Sequence, residues 1–172
     1  MIVRSTGVLG FLAIIAITCV ATGSRRVDAQ ELQPVLTMAS AKAIVAGCEA
    51  FAQKHELYIV IAVIGPGKSL AAFLRMDGAL PGAGEVAIWK ATSSAIFGMP
   101  SKDFAEIAKT NPSFALVPSI ATLEGGEAIY TQQGQLVGGV GVSGASAEDD
   151  AACARVGIAH ARLRPNKKTD QE

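Results

Sequence analysis

Apolar positions change spacing several times along the chain, and each change marks an element. Thr37 is an N-cap candidate, with Ser40 three residues on. Behind it Ile44, Cys48, Phe51, Ala52 and His55 recur at the spacing of one helical face, with Gln53, Lys54 and Glu56 turned to solvent. The run from Tyr58 to Ile64 is continuous and β-branched, the pattern of a strand buried on both faces. Gly65-Pro66-Gly67-Lys68 is a turn signal, and the apolar run Leu70 to Leu74 completes a hairpin. Glu85 to Phe97 predicts a helix with Val86, Trp89, Lys90, Ser93 and Phe97 near one stripe, stopped by Gly98-Met99-Pro100. Ser101 is expected to cap a short helix, Lys102 to Lys109, and residues 110–127 are irregular. Ala128 to Gln132 and Gln135 to Val142, joined at Gln133-Gly134, predict a second hairpin. Ser146 opens a last helix whose apolar face is expected at Ala152, Val156, Ala159 and Leu163, with Pro165 ending it.

The predicted order is helix, hairpin, two helices, hairpin, helix. Hairpins imply antiparallel pairing, so the fold class is α+β: a central antiparallel sheet with helices packed on it. A doubly wound dinucleotide fold does not match this order. Residues 1–29 stand apart. Arg4 precedes a 14-residue apolar run, Val8 to Ala21, and Ala29 is a small residue suited to cleavage. This reads as a secretory signal peptide, too short for a membrane span of about 20 residues. The expected organisation is a leader over 1–29, one domain over 30–164 and a polar, disordered tail over 165–172. A secreted or periplasmic location follows, with no stable membrane anchor after cleavage.

Composition narrows the function classes. The chain has 172 residues, 50% hydrophobic, 17% charged and 5% aromatic, with 15 basic and 15 acidic side chains. One domain suits that length, and the balance gives no electrostatic footprint for nucleic acid. Without its first 29 residues the chain keeps 12 basic and 14 acidic residues, and two of its three cysteines, Cys48 and Cys153. In an exported chain these two either pair or sit as buried thiols acting as small hydrophobes.

Familiar catalytic signatures are absent: no phosphate loop and no nucleophile elbow. Gly138-Gly139-Val140-Gly141-Val142-Ser143-Gly144 has two readings, an anion held on backbone N–H groups or a strand end that packs closely. The only histidines, His55 and His160, lie toward the ends of different helices with no second ligand at i+4, which disfavours zinc. Each is a candidate axial haem ligand or a helix-end histidine near the negative pole of the dipole. Glu148, Asp149 and Asp150 read as helix N-terminal charge or as a weak cation site. Arg75, Asp77, Glu85 and Lys90 flank one predicted loop; if they converge they suit a carboxylate or a haem propionate.

The string Ile61-Ala62-Val63-Ile64, Leu70, Phe73-Leu74-Arg75-Met76-Asp77-Gly78-Ala79 resembles the first hairpin of the GlcG/HbpS family of haem-binding or haem-degrading proteins. The resemblance runs on through Lys90-Ala91, Ala95-Ile96-Phe97-Gly98-Met99-Pro100, Glu124-Gly125-Gly126 and Ile129-Tyr130. It ends on Gly134 to Gly144 and the acidic start of the last helix, and covers about residues 36–162. The family also includes C-terminal domains of some corrinoid adenosyltransferases. The segment Pro112 to Leu123 departs from many relatives in being less glycine-rich.

The resemblance implies a profilin-like α+β layer, homo-oligomers that are often octamers, and haem or another small ligand as partner. The ligand candidates read from this chain itself are Arg75, Asp77, Glu85, Lys90, Gly125, Gly126, Ser143 and Gly144, with His55 and His160 as axial candidates; haem-ligand residues differ between family members, and the resemblance transfers none. In such a fold the first and last helices share a face of the sheet, which would set Cys48 opposite Cys153. Two functions stay open: an exported haem-binding protein, with slow haem degradation or haem and iron sensing, and an enzyme or accessory acting on a small carboxylate such as a glycolate-pathway metabolite. With one Trp, two Tyr and six Phe, a haem pocket would be lined by aliphatic residues or completed by a neighbouring subunit.

Overall fold

The computed structural model describes residues 33–167; the expected leader over 1–29 and the tail residues 168–172 lie outside them. Four helices and four strands follow: α1 (Met38–Lys54), β1 (Val60–Ile64), β2 (Leu70–Arg75), α2 (Ala83–Phe97), α3 (Ser101–Thr110), β3 (Gly126–Tyr130), β4 (Leu136–Ser143) and α4 (Ala147–His160). All strand pairs are antiparallel, in the order β2-β1-β4-β3. This is the α+β sheet that the hairpin pattern predicts.

Strand β1 is buried along its whole length because helices cover both faces of the sheet. Successive side chains alternate between faces. Ile61 and Val63 join Ile44, Cys153, Ala154 and Ile158 in the core beneath α1 and α4. Val60, Ala62 and Ile64 face the opposite way, onto Ala83, Ala87, Ala91 and Ala95 of α2. The four alanines are spaced by one helical turn, and Ala87, Ala91 and Ala95 lie against Gly139 and Gly141 of β4. A methyl at either glycine would overlap the α2 backbone at Ala87, Ala91 or Ala95.

That close approach corrects the expected α2 stripe. Trp89 is 56% and Phe97 44% exposed, and only Lys90 and Ser93 of the stripe are buried. A helix lying on a glycine-paved strand leaves room for alanine alone, so its large side chains turn outward. The apolar face of α4 is likewise rotated: the buried residues are Asp150, Ala151, Cys153, Ala154, Gly157 and Ile158, while Val156 and Ala159 are exposed. Again a small residue decides, since Gly157 sits against the carbonyl of Ile44.

Thr37 caps α1 through Ser40 N (3.1 Å), and Ser146 caps α4 through Asp149 N (3.1 Å). Ser101 is not the cap of α3; Pro100 holds that position. Its buried hydroxyl instead donates to Leu123 O and accepts from Gly126 N (2.8 Å), fixing the loop that enters β3. Helix α4 stops at His160, before Pro165, and Arg164 pairs with Tyr130 through two backbone bonds of 2.8 and 2.9 Å. The chain therefore covers part of the free edge of β3. Helices α1 and α4 run antiparallel, joined by a disulfide between Cys48 and Cys153 with a Cα–Cα separation of 4.8 Å.

Candidate ligand-binding site

One end of the sheet collects most of the residues singled out by sequence. Val60 pairs with Arg75 on one side and Ser143 on the other. Gly126 pairs with Gly141, and Gly125 O accepts from Val142 N at 2.9 Å. Helices α2 and α4 both begin at this end.

The residues share an address without forming one cradle. Lys90 is 4% exposed, and its Nζ lies 2.9 Å from Asp150 Oδ2 and 2.9 Å from Val142 O. The other Asp150 oxygen accepts from Ala145 N at 3.1 Å. Burial pushes the Asp150 carboxyl above the usual range, opposed by the Lys90 ammonium and the Ala145 N–H. Gly125 permits this arrangement: with φ +118 and no Cβ, it lets Lys90 Nζ and Asp150 pass closely. Lys90 is thus a structural cation spent on α4.

Arg75 is exposed and donates to Ala79 O (2.6 Å), closing the loop from Met76 to Ala79. Asp77 and Glu85 are exposed, and among the described residues neither forms a salt bridge with Arg75. Of the two readings left open for Arg75, Asp77, Glu85 and Lys90, the structure shows the one in which they do not converge.

Three concavities are relevant to ligands, all of the size of small-molecule sites. The first, about 540 Å³, has Ser143, Gly144 and Ala145 on its floor and Leu80, Gly82 and Val86 among its walls. The second, about 500 Å³, lies at the β3 edge and is lined by Lys102, Asp103, Glu124, Glu127, Glu148 and Arg155 among others. There Glu127 is 4% exposed and accepts from Arg155 Nη1 at 2.8 Å. Burial raises its carboxyl above the ordinary value, against the lowering effect of Arg155. The third, about 350 Å³, runs between α1 and β2, with Met38, Lys42, Val45, Ala72 and Leu74 in its lining.

Sequence reasoning missed Glu127, Arg155, Met38 and Lys42. A signal existed for the first: Glu127 is an acid inside an apolar strand. For Met38 and Lys42 the only signal was their i, i+4 spacing on α1.

The histidines stay apart. His55 follows α1, is exposed and lies over Phe51 with ring centroids 4.3 Å apart. His160 ends α4, exposed, beside Gly47. Each lies seven residues from its own half-cystine, in opposite directions along the helix pair. His160 meets α1 at the level of Gly47, eight residues before His55, so the two histidines stand about two helical turns apart along α1. Neither lines the three concavities. Among the described residues, no group of three or more His, Cys, Asp or Glu is placed to hold a metal ion.

A family model described as haem degrading protein HbpS-like matches residues 36–159, from just before α1 to the last turn of α4. The chain belongs to the HbpS-like family. Protein GlcG of Escherichia coli (strain K12) is 34% identical over 110 residues, which cover 63% of this chain and 81% of that protein. A crystal structure of HbpS aligns with TM-score 0.72 and 29% identity, over 76% of this chain and 93% of the other. A crystal structure of a PduOC:heme complex aligns with TM-score 0.71 over 78% of this chain and 100% of the other; at 22% identity it shows the shared fold alone. The HbpS-like fold is thus complete here, from the first helix to the last.

Proposed function

We propose that this HbpS-like chain is an exported haem-binding protein that works as a homo-oligomer. The observation that carries the reading is the match to the haem degrading HbpS-like family across the whole described fold, joined to the HbpS likeness at 29% identity. The α1–β2 groove has the donor chemistry for haem. Val45, Ala72 and Leu74 offer aliphatic walls, Met38 a soft thioether, and Lys42 a cation for a propionate. Bound haem would supply iron-centred redox chemistry, and these residues would hold one edge of the macrocycle.

Export is supported by the Cys48–Cys153 disulfide, since such bonds persist in oxidising compartments. Assembly is supported by the apolar outer face of α2, where Trp89, Ile96 and Phe97 are 56%, 38% and 44% exposed.

The test is a haem titration of the purified protein, followed in the Soret region, with the assembly mass measured alongside. A saturable band shift that Met38→Ala weakens and His55→Ala leaves intact is expected. No Soret change at micromolar haem would overturn the haem reading.

A further inference from the structure

The two margins of the sheet differ. At one, Arg164 pairs with Tyr130 and covers part of β3. At the other, β2 ends the order β2-β1-β4-β3, and among the described residues no strand or bridge lies beyond it. Its outward backbone groups follow from the ladder. Met76 N donates to Ile59 O at 3.0 Å, so by antiparallel alternation Leu74 and Ala72 also bond inward to β1. Phe73 and Arg75 therefore turn their N–H and C=O groups to the open side. Apolar side chains stand exposed along this margin: Leu70 is 53%, Phe73 44% and, on α1, Met38 57% exposed. A bare edge of this kind is a template for a further strand.

The charges on the neighbouring helix say which strand. Lys42 and Glu49 both line the groove between α1 and β2, with Val45 and Ala46 midway between them. They lie seven residues apart, two helical turns along one face. Among the described residues neither forms an ion pair, and Glu49 accepts only from Gln53 Nε2 at 3.4 Å. A cation and an anion set evenly about a midpoint are self-complementary. Under a two-fold axis the contact of the first with the second is repeated in reverse. Two β2 strands joined antiparallel have such an axis, perpendicular to the sheet. It keeps both copies of α1 on one face of the sheet, running antiparallel to each other.

We propose that the β2 edge and the flank of α1 form a two-fold interface between two copies of this chain. The β2 strands join antiparallel through Phe73 and Arg75 into one continuous sheet, and Lys42 of each copy pairs with Glu49 of the partner subunit. Each α1–β2 groove then has a second wall from the other copy. The inference rests on the homo-oligomer reading and gives it a surface distinct from the outer face of α2; it does not need haem.

Charge reversal on the disulfide-intact, haem-free protein is the test. Lys42→Glu or Glu49→Lys turns two ion pairs into two repulsions, so assembly followed by sedimentation over a concentration series should weaken about tenfold. The double variant Lys42→Glu/Glu49→Lys restores both pairs with their signs exchanged and should recover assembly. Hydrogen exchange reads the strand itself. The Phe73 and Arg75 amides should exchange slowly in wild type and in the double variant, and fast in each single one. Lys42 is exposed and Glu49 half-buried, so both single variants should keep the far-UV circular dichroism of the wild type.

A wild-type assembly with fast exchange at both amides would overturn this interface and leave assembly to the α2 face. Single variants that assemble as wild type does, or a double variant no better than the singles, would overturn it as well. A chain that is monomeric at every concentration would overturn it together with the oligomer reading. The expected charge-reversal pattern without any Soret shift on haem addition would uphold the interface and sink the haem reading alone.

Discussion

Asp150→Ala should be the most damaging single truncation on α4. The change leaves the Lys90 ammonium 4% exposed with one remaining protein acceptor, Val142 O at 2.9 Å. Breaking a buried pair from one side costs about 3–5 kcal/mol, because the surviving charge stays desolvated. Against a total stability of about 5–15 kcal/mol, that is a large fraction. At about 3–4 °C per kcal/mol for a domain near this size, the melting temperature should fall by roughly 10–18 °C. Lys90→Met should cost less. Its partner Asp150 keeps the Ala145 N–H, and burial already pushes its carboxyl upward, so it can be neutralised by a proton. A raised carboxyl binds its proton more tightly in the folded state, so stability falls as pH rises through the window above 3.8. Lys90→Met should accordingly regain stability on acidification. Urea unfolding of both single variants and the double variant, with m-values compared, gives the coupling energy. A cost below about 1 kcal/mol for Asp150→Ala, or a double variant that equals the sum of the singles, would refute the assignment of a tightly coupled buried pair.

Other perturbations follow from the same structure. The disulfide closes a sequence separation of 105 residues, so reducing it should cost about 4–5 kcal/mol in the chain-entropy model; denatured-state thiol counts should rise by two on reduction, and no rise would refute the bond. Gly141→Ala drives a methyl into the α2 backbone at Ala87 and Ala91, and overpacking of this kind costs about 1–3 kcal/mol; a neutral result by thermal melting would mean that α2 can lift off β4. Glu127 has a carboxyl raised by burial above 4.5, so wild-type stability should decline as pH climbs through the window just above that value. Glu127→Gln should flatten that slope in urea melts run from pH 4 to pH 7, and an unchanged slope would assign the pH dependence elsewhere.

The order of elements was legible because period 2 and period 3.6 separate cleanly in this chain. The β-branched run around Val60 to Ile64 and the turn at Gly65 to Lys68 fix the first hairpin without ambiguity. Helix faces were less legible. In α2 and α4 the buried face is made mostly of alanine, serine, glycine and cysteine, with the Lys90–Asp150 pair and Ile158 among them, so large apolar side chains do not mark it. A search for large apolar side chains therefore picked the solvent side, with Trp89 in α2 and Val156 in α4. Among site residues, sequence proximity brought Arg75, Asp77, Glu85 and Lys90 together, and side-chain direction parted them. Lys90 sits on the sheet-facing side of α2 and runs through the gap left by Gly125 to Asp150. That crossing joins residues 60 positions apart, and no local pattern encodes it.

The glycine string of β4 shows why ligand capacity ends up at the margins of the layers. Its spacing invites an anion-loop reading, yet Gly139 and Gly141 are consumed by contact with α2. Because helix and sheet meet backbone to backbone, no space for a ligand is left between them, and the alanines that fill the contact offer no donors. Concavities can open only where a layer begins or ends. Ser143 marks the start of α2, Glu127 the β3 edge, and Met38 with Lys42 the flank of α1 beside β2. All three open to solvent, and the large side chains expelled from the α2 contact, Trp89, Ile96 and Phe97, form an apolar surface of their own. Close packing inside one copy and apolar exposure outside it are thus two consequences of the same choice of small residues on β4 and α2.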